Sequence, residues 1–186
     1  MPRLMLFTVL SIYVCTLYAQ GAIDTADIKK QLAVIRERDQ KTRTGRDSMA
    51  FRDYIDSTNL VQIEELIKKY GWLNQSFVGP EGNITCFLVI QHSDSASQVK
   101  YFPLLFRSVQ QGESPPSNLA LLTDRILLHQ GKKQLYGSQV VSDKDGNNVI
   151  YPIEDEKNVN KRRADFGMQP IEDYAKLFGI NYKPAQ

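Results

Sequence analysis

The sequence predicts a mainly α protein, a helical bundle with one β-hairpin near the C-terminal third. Two observations lead there. Apolar residues recur at helical spacing through the first two thirds of the chain, between glycine stops. The pattern then changes around an Asp-Gly turn flanked by β-branched and aromatic residues. Composition agrees with a packed globular chain, at 42% hydrophobic and 24% charged residues.

The N-terminus comes first. Arg3 precedes an apolar stretch, residues 4–17, broken only by Thr8, Ser11 and Thr16. Ala19 then offers a small residue at a cut, with Gln20 as the new N-terminus. This layout predicts a secretory signal peptide over residues 1–19 and a single globular domain over 20–186. A retained anchor is the alternative, but a spanning helix needs roughly 20 apolar residues. Val14 before Cys15 argues against a lipoprotein signal. The expected location is therefore exported, periplasmic or extracellular, with no stable membrane anchor after cleavage. Cys86 is the one cysteine left in the mature chain, so no intramolecular disulfide forms there.

Asp24 or Thr25 caps a helix through about Thr42, with Ile28, Leu32 and Ile35 on one stripe. A link at residues 44–48 leads to a helical stretch at 49–55. Ser57 or Thr58 starts another helix, whose face is Leu60, Ile63, Ile67 and Tyr70 and whose stop is Gly71. Residues 74–83, with Gly79-Pro80-Glu81-Gly82, read as a loop. Residues 84–90 are a buried helix or a buried strand. Helix is preferred because no other early segment offers a strand partner. Residues 98–111 are helical, with Val99, Phe102, Phe106 and Val109 on one side. After the turn at 114–117, residues 118–129 form a helix ended by Gly131. The hairpin spans 134–153, with its turn at 143–148. Helices at 155–166 and from Pro170 to before Gly179 close the chain.

Several residues could carry chemistry. His92 and Asp94 follow the buried run, and histidine suits acid–base work near neutral pH. The bland alternative is that His92 only bonds its own helix end. Asp124 and Arg125 interrupt an otherwise apolar helix, as a structural ion pair or as the lining of a cavity. The segment with Gln134, Tyr136, Gly137, Ser138 and Gln139 supplies uncharged donors and acceptors for a sugar, amide or peptide. Cross-strand pairing is the alternative there. Arg162-Arg163 with Arg38 and Arg125 could hold a carboxylate or phosphate.

The totals exclude some classes. The net charge of +2, or about +1 without Arg3, gives no argument for nucleic acid. Phosphate-loop, dinucleotide and nucleophile-elbow motifs are absent, so no cofactor is expected. Two histidines and one mature cysteine make a zinc site a poor fit, and no metal site is assigned. Residues 143–148 superficially resemble a calcium loop, but a plain turn fits better. The Asn83-Ile84-Thr85 sequon leads into a buried run, which argues against glycosylation.

In order along the chain stand Arg38-Asp39-Gln40, Asp56 with Asn59, Gly71-Trp72, Val78-Gly79 and Gln91-His92. Leu122-Thr123-Asp124-Arg125, Gly131, Gln134, Tyr136-Gly137, Gln139, Pro152, Arg162-Arg163 and Gly167 follow. This pattern resembles a bacterial family known as domain of unknown function 6624, over about residues 28–174. Ser138 stands where threonine is expected, and Leu73 where proline is usual. The resemblance implies a bacterial protein and supplies no activity. It groups His92, Asp124, Arg125, Gln134, Tyr136 and Gln139 into one constellation, which fits a site or a polar network holding hairpin to bundle.

Two functions are therefore expected as alternatives. One is an exported domain that binds a small molecule or envelope component. The other is a small exported hydrolase. In it His92 is the general acid or base, Asp94 or Asp124 orients it, Arg125 holds an anionic group, and Gln134, Tyr136 and Gln139 bind substrate. Water would be the attacking group, since no nucleophile stands out.

Overall fold

The structure, a computed structural model, describes residues 24–45 and 47–183. The expected signal peptide at residues 1–19 lies outside the described residues. Five long helices come first: α1 (Ala26–Thr44), α2 (Met49–Tyr70), α3 (Gln75–His92), α4 (Ser95–Gln110) and α5 (Pro116–His129). A small antiparallel hairpin follows, β1 (Val140–Ser142) with β2 (Asn148–Ile150). A 3₁₀ turn (Glu156–Asn158), α6 (Val159–Asp165) and α7 (Ile171–Lys176) complete the chain. The mainly helical class with one hairpin is what the sequence predicts. No helix among the described residues is long and apolar enough to cross a membrane.

The bundle is organised around α3, which packs against α1, α2, α4 and α5. Its apolar run explains this: Cys86, Phe87, Val89 and Ile90 are all buried, so residues 84–90 are a central helix. Ile28, Leu32 and Ile35 of α1, Ile63 and Ile67 of α2, Leu105 of α4 and Leu122 of α5 pack into the same core. A second, smaller apolar cluster of Ile153, Val159 and Ile171 lies under the C-terminal elements.

Four local expectations need correction. The stretch 49–55 and the helix expected from Ser57 are one helix, because the hydroxyls of Ser57 and Thr58 donate back to the carbonyls of Asp53 and Tyr54 rather than capping a new start. Residues 74–83 are largely helical. Gly79, at φ 79° and ψ 169°, breaks the ladder for one residue, and Pro80 opens the second segment as a first-turn proline. On α4 the buried side is Gln98, Tyr101, Leu105 and Ser108, whereas Val99 and Phe106 are exposed. Gln98 is buried because its amide donates to the carbonyls of Gln91 and Ser93, which lack helical partners at the end of α3. Finally, the hairpin is shorter than residues 134–153. Gln134 makes only an isolated bridge to Ile153, and residues 135–138 leave the ladder.

Candidate functional site

The C-terminal end of α3 opens on a cleft of ≈ 560 Å³. Its walls are Asp53, Asp56, Ser57 and Leu60 of α2, His92, Ser93, Asp94 and Ser95 at the α3–α4 turn, and His129 at the end of α5. The turn is fixed from both sides. Gln98 holds the carbonyls of α3, and the Asp94 carboxylate caps α4 by accepting from the Ser97 amide at 2.9 Å and its hydroxyl at 3.0 Å.

His92 does not bond its own helix end. Its Nδ1 lies 2.9 Å from Oδ1 of Asp39, on α1. The Asp39 side chain is 2% exposed and the His92 side chain 18%, so the carboxylate backs a ring that reaches the cleft. Gln40 donates to the other Asp39 oxygen at 2.7 Å, and Arg43 joins Asp39 to Asp56. Burial pulls the Asp39 carboxyl upward, but the bond and charge of His92, the Gln40 amide and Arg43 outweigh it and leave it lowered. An ionised Asp39 only accepts, so Nδ1 of His92 carries a proton, and when the ring is neutral Nε2 is its acceptor. Burial raises the Asp56 carboxyl against the pull of Arg43. The two carboxyls beside His92 are thus pushed in opposite directions, while Arg43 pairs with both.

Asp39, Asp56 and His92 each offer a ligand atom, and these atoms lie within 4.8 Å of one another. They are the residues that could hold a divalent cation. The Arg43 guanidinium already bridges both carboxylates, so a metal would have to displace it.

The constellation expected from the sequence divides in two. His92 and Asp94 line the cleft, but Asp94 is a helix cap and Asp39 orients His92. Asp124 is fully buried, and all its bonds go to the segment 135–138. It accepts from the amides of Leu135, Tyr136 and Ser138 and from the Ser138 hydroxyl at 2.7–3.2 Å. Burial raises its carboxyl despite these donors. Gln134 spends its amide on the carbonyls of Gln139 and Tyr151 and accepts from the Gln139 amide. Gln139 bonds Ser138. Tyr136 packs on Phe166. Arg162 is consumed by the carbonyls of Leu135, Glu154 and Asp155 and by the Asp155 carboxylate. At Gly137 the space of a side chain is filled by Ile171 and Ile153, not left for a ligand. These residues form the network that fastens the C-terminal elements to α5. Arg38 bonds the amide oxygens of Asn59 and Gln62, tying α1 to α2. Arg163, nearly fully buried, donates to the carbonyls of Gln169 and Tyr136 and lies over the Tyr174 ring.

Cys86 is fully buried, and its thiol is pushed up to about 12 by desolvation, so it is no nucleophile. Asn83 is buried and bonded to the Leu73 carbonyl and Ser114, which takes its amide out of reach of glycosylation. Asp143 accepts from the amides of Asp145 and Asn147 within its own turn.

Sequence reasoning missed Asp39 and Asp56 as site residues. The available signal was their place in the segments Arg38-Asp39-Gln40 and Asp56 with Asn59, polar residues on helices whose stripes are otherwise apolar. Comparison with curated proteins and with solved structures gives no match. A family model does match, over residues 22–183, nearly the whole chain that the fold and the cleft occupy. The chain belongs to the family of unknown function DUF6624.

Proposed function

We propose that the cleft is an acid–base catalytic site and that the protein is a small exported hydrolase. The observation that carries this is the Asp39–His92 pair. A buried carboxylate fixes the tautomer of an imidazole whose ring reaches solvent in a cleft. His92 Nε2 takes a proton from water as the water attacks. The proton that His92 takes from water then passes to the leaving group, and Asp56, held as a carboxylate by Arg43, faces the same cleft from α2. Export rests on the N-terminal leader and would place the substrate in the envelope or outside the cell.

A second reading is an exported domain that binds a small molecule or envelope component without turnover. It is favoured by the charge balance of the cluster: Arg43 spans Asp39 and Asp56, as a network pinning α1, α2 and α3 would. The chain from Gln20, assayed on ester, amide, phosphoester and glycosidic probes, separates the two. The hydrolase reading expects turnover that falls by about 10²–10⁴ in His92→Gln with unchanged melting behaviour. A His92→Gln chain as active as the parent, or no turnover on any bond class, gives the cleft to the binding reading.

A further inference from the structure

Among the described residues, Arg125 is a half-buried cation that the fold leaves without a counter-charge. Several other arginines have partners, although Arg36, Arg43 and Arg52 each also keep one buried guanidinium nitrogen without a hydrogen bond. Arg43 has two carboxylates, Arg38 two amide oxygens and Arg163 two carbonyls. Arg125 is half-buried, yet among the described residues it makes no hydrogen bond, and no carboxylate lies within 4.0 Å of it. Its Nε is buried with no partner. Its sequence neighbour Asp124 faces the segment 135–138 and is fully engaged there. Taking a guanidinium partly out of water without pairing it costs free energy that the protein alone does not recover.

Its position says what recovers it. His129 stands one helical turn further along the same face of α5, and His129 lines the cleft with His92. Burial pushes the Arg125 guanidinium down, the Tyr174 hydroxyl pulls it up, and the charge of Arg43 lowers it further. The acids of the cleft do not compete for it. Asp56 is held by Arg43, Asp94 caps α4, and Asp53 lies at the exposed rim. We infer that Arg125, with His129 beside it, seats an anionic group of the cleft's ligand, a carboxylate or a phosphate. A planar guanidinium suits either through paired N–H donors. This deepens the reading of the cleft as a catalytic site by naming the class of its substrate. Burial and the charge of Arg125 hold the His129 ring below its usual range. Neutralising Arg125 with a bound anion relieves the second of these.

The test uses inorganic phosphate and acetate as separate probes on the chain from Gln20. The readouts are the His129 ring resonances and the pH at which His129 titrates. Saturable binding of one probe is expected, with the His129 midpoint moving up. Arg125→Gln weakens it at least tenfold without lowering the melting temperature, since an unpaired half-buried cation is removed. Arg125→Lys, which keeps charge but not the fork, is intermediate and serves if the Gln variant does not fold. Arg107→Gln, on the exposed side of α4, changes nothing. The probe that binds decides between phosphate and carboxylate. No saturable binding of either, or binding indifferent to Arg125, overturns the inference. His92→Gln tells the two claims apart. If it retains anion binding but loses turnover, both stand. If turnover survives it while Arg125-dependent binding persists, only the catalytic reading falls.

Discussion

Two aspartates, both buried, do opposite work. Asp39 is a carboxylate lowered by its partners, so it stabilises the fold above the unfolded carboxyl value of 3.8. That stability is lost as pH falls through the lower folded value. Asp39→Asn is therefore expected to flatten the acid limb of a stability–pH curve, read by urea denaturation at several pH values. An unchanged limb would mean that the pair with His92 does not form in solution. Asp124 is raised by burial, so its contribution has the other sign: it is complete below 3.8 and shrinks as pH rises through the folded value. Its larger role is geometric. Asp124→Ala leaves the amides of Leu135, Tyr136 and Ser138 without an acceptor. About 3 kcal/mol of stability should go with it, while His92-dependent activity persists until the fold fails. Loss of activity at full stability would put Asp124 back in the site. The sequence showed Asp124 as a charge on an apolar helix and Asp39 only as one member of a charged run. It could not show which one meets His92, because that depends on which helix packs where.

At the scale of the element, the departures from the expected pattern are places where a side chain satisfied the backbone. Ser57 and Thr58 look like a helix start in sequence, and their hydroxyls instead return to the preceding turn of α2. Gln98 and Ser108 look like surface residues, yet they lie on the inner side of α4 because helix ends and neighbouring polar groups claim them. Periodicity counts apolar residues and overlooks such positions, so it chose Val99 and Phe106 for the core. The strong apolar stripes of α1 and of the second half of α2 were legible for the opposite reason, while residues 84–90 were legible as buried but not by period as a helix. Two glycines carry the elements' geometry. Gly79, at φ 79° and ψ 169°, turns the chain so that the segment bearing His92 starts afresh at Pro80, and Gly79→Ala should cost about 1–3 kcal/mol. Gly137, at φ 68°, has Ile171 Cδ1 at 2.2 Å from where a Cβ would lie. Gly137→Ala is expected to cost more than Gly79→Ala, because strain and collision add. Denaturant midpoints for the two variants check the order, and the reverse order would mean that the C-terminal elements pack loosely on Gly137.

Across the whole molecule, polar residues collect at separate sites with separate uses. Around the start of α3, Trp72, Asn83, Ser108 and Ser114 form a bonded cluster that joins the α2–α3 turn to the α4–α5 turn. At the end of α3 the polar groups face a cleft. Beside α5 they bind the hairpin and the last helices. From the sequence the last two sets merge into one constellation, because residues close in the chain or in a shared motif give no measure of distance in space. The fold class and most helices were readable. The division of labour was not. Export predicts a mature chain beginning at Gln20, which mass spectrometry of the secreted or periplasmic fraction would establish, and a chain retaining residue 1 would refute it. The central claim is that Asp39 holds His92 with Nδ1 protonated and Nε2 free toward the cleft. Only His92 and His129 are present, so long-range proton–nitrogen NMR of the rings, assigned with His129→Gln, reads it directly. The account predicts that neutral His92 is the Nδ1–H tautomer and that Asp39→Asn mixes the two forms. A neutral His92 protonated on Nε2, or one indifferent to Asp39, would contradict it.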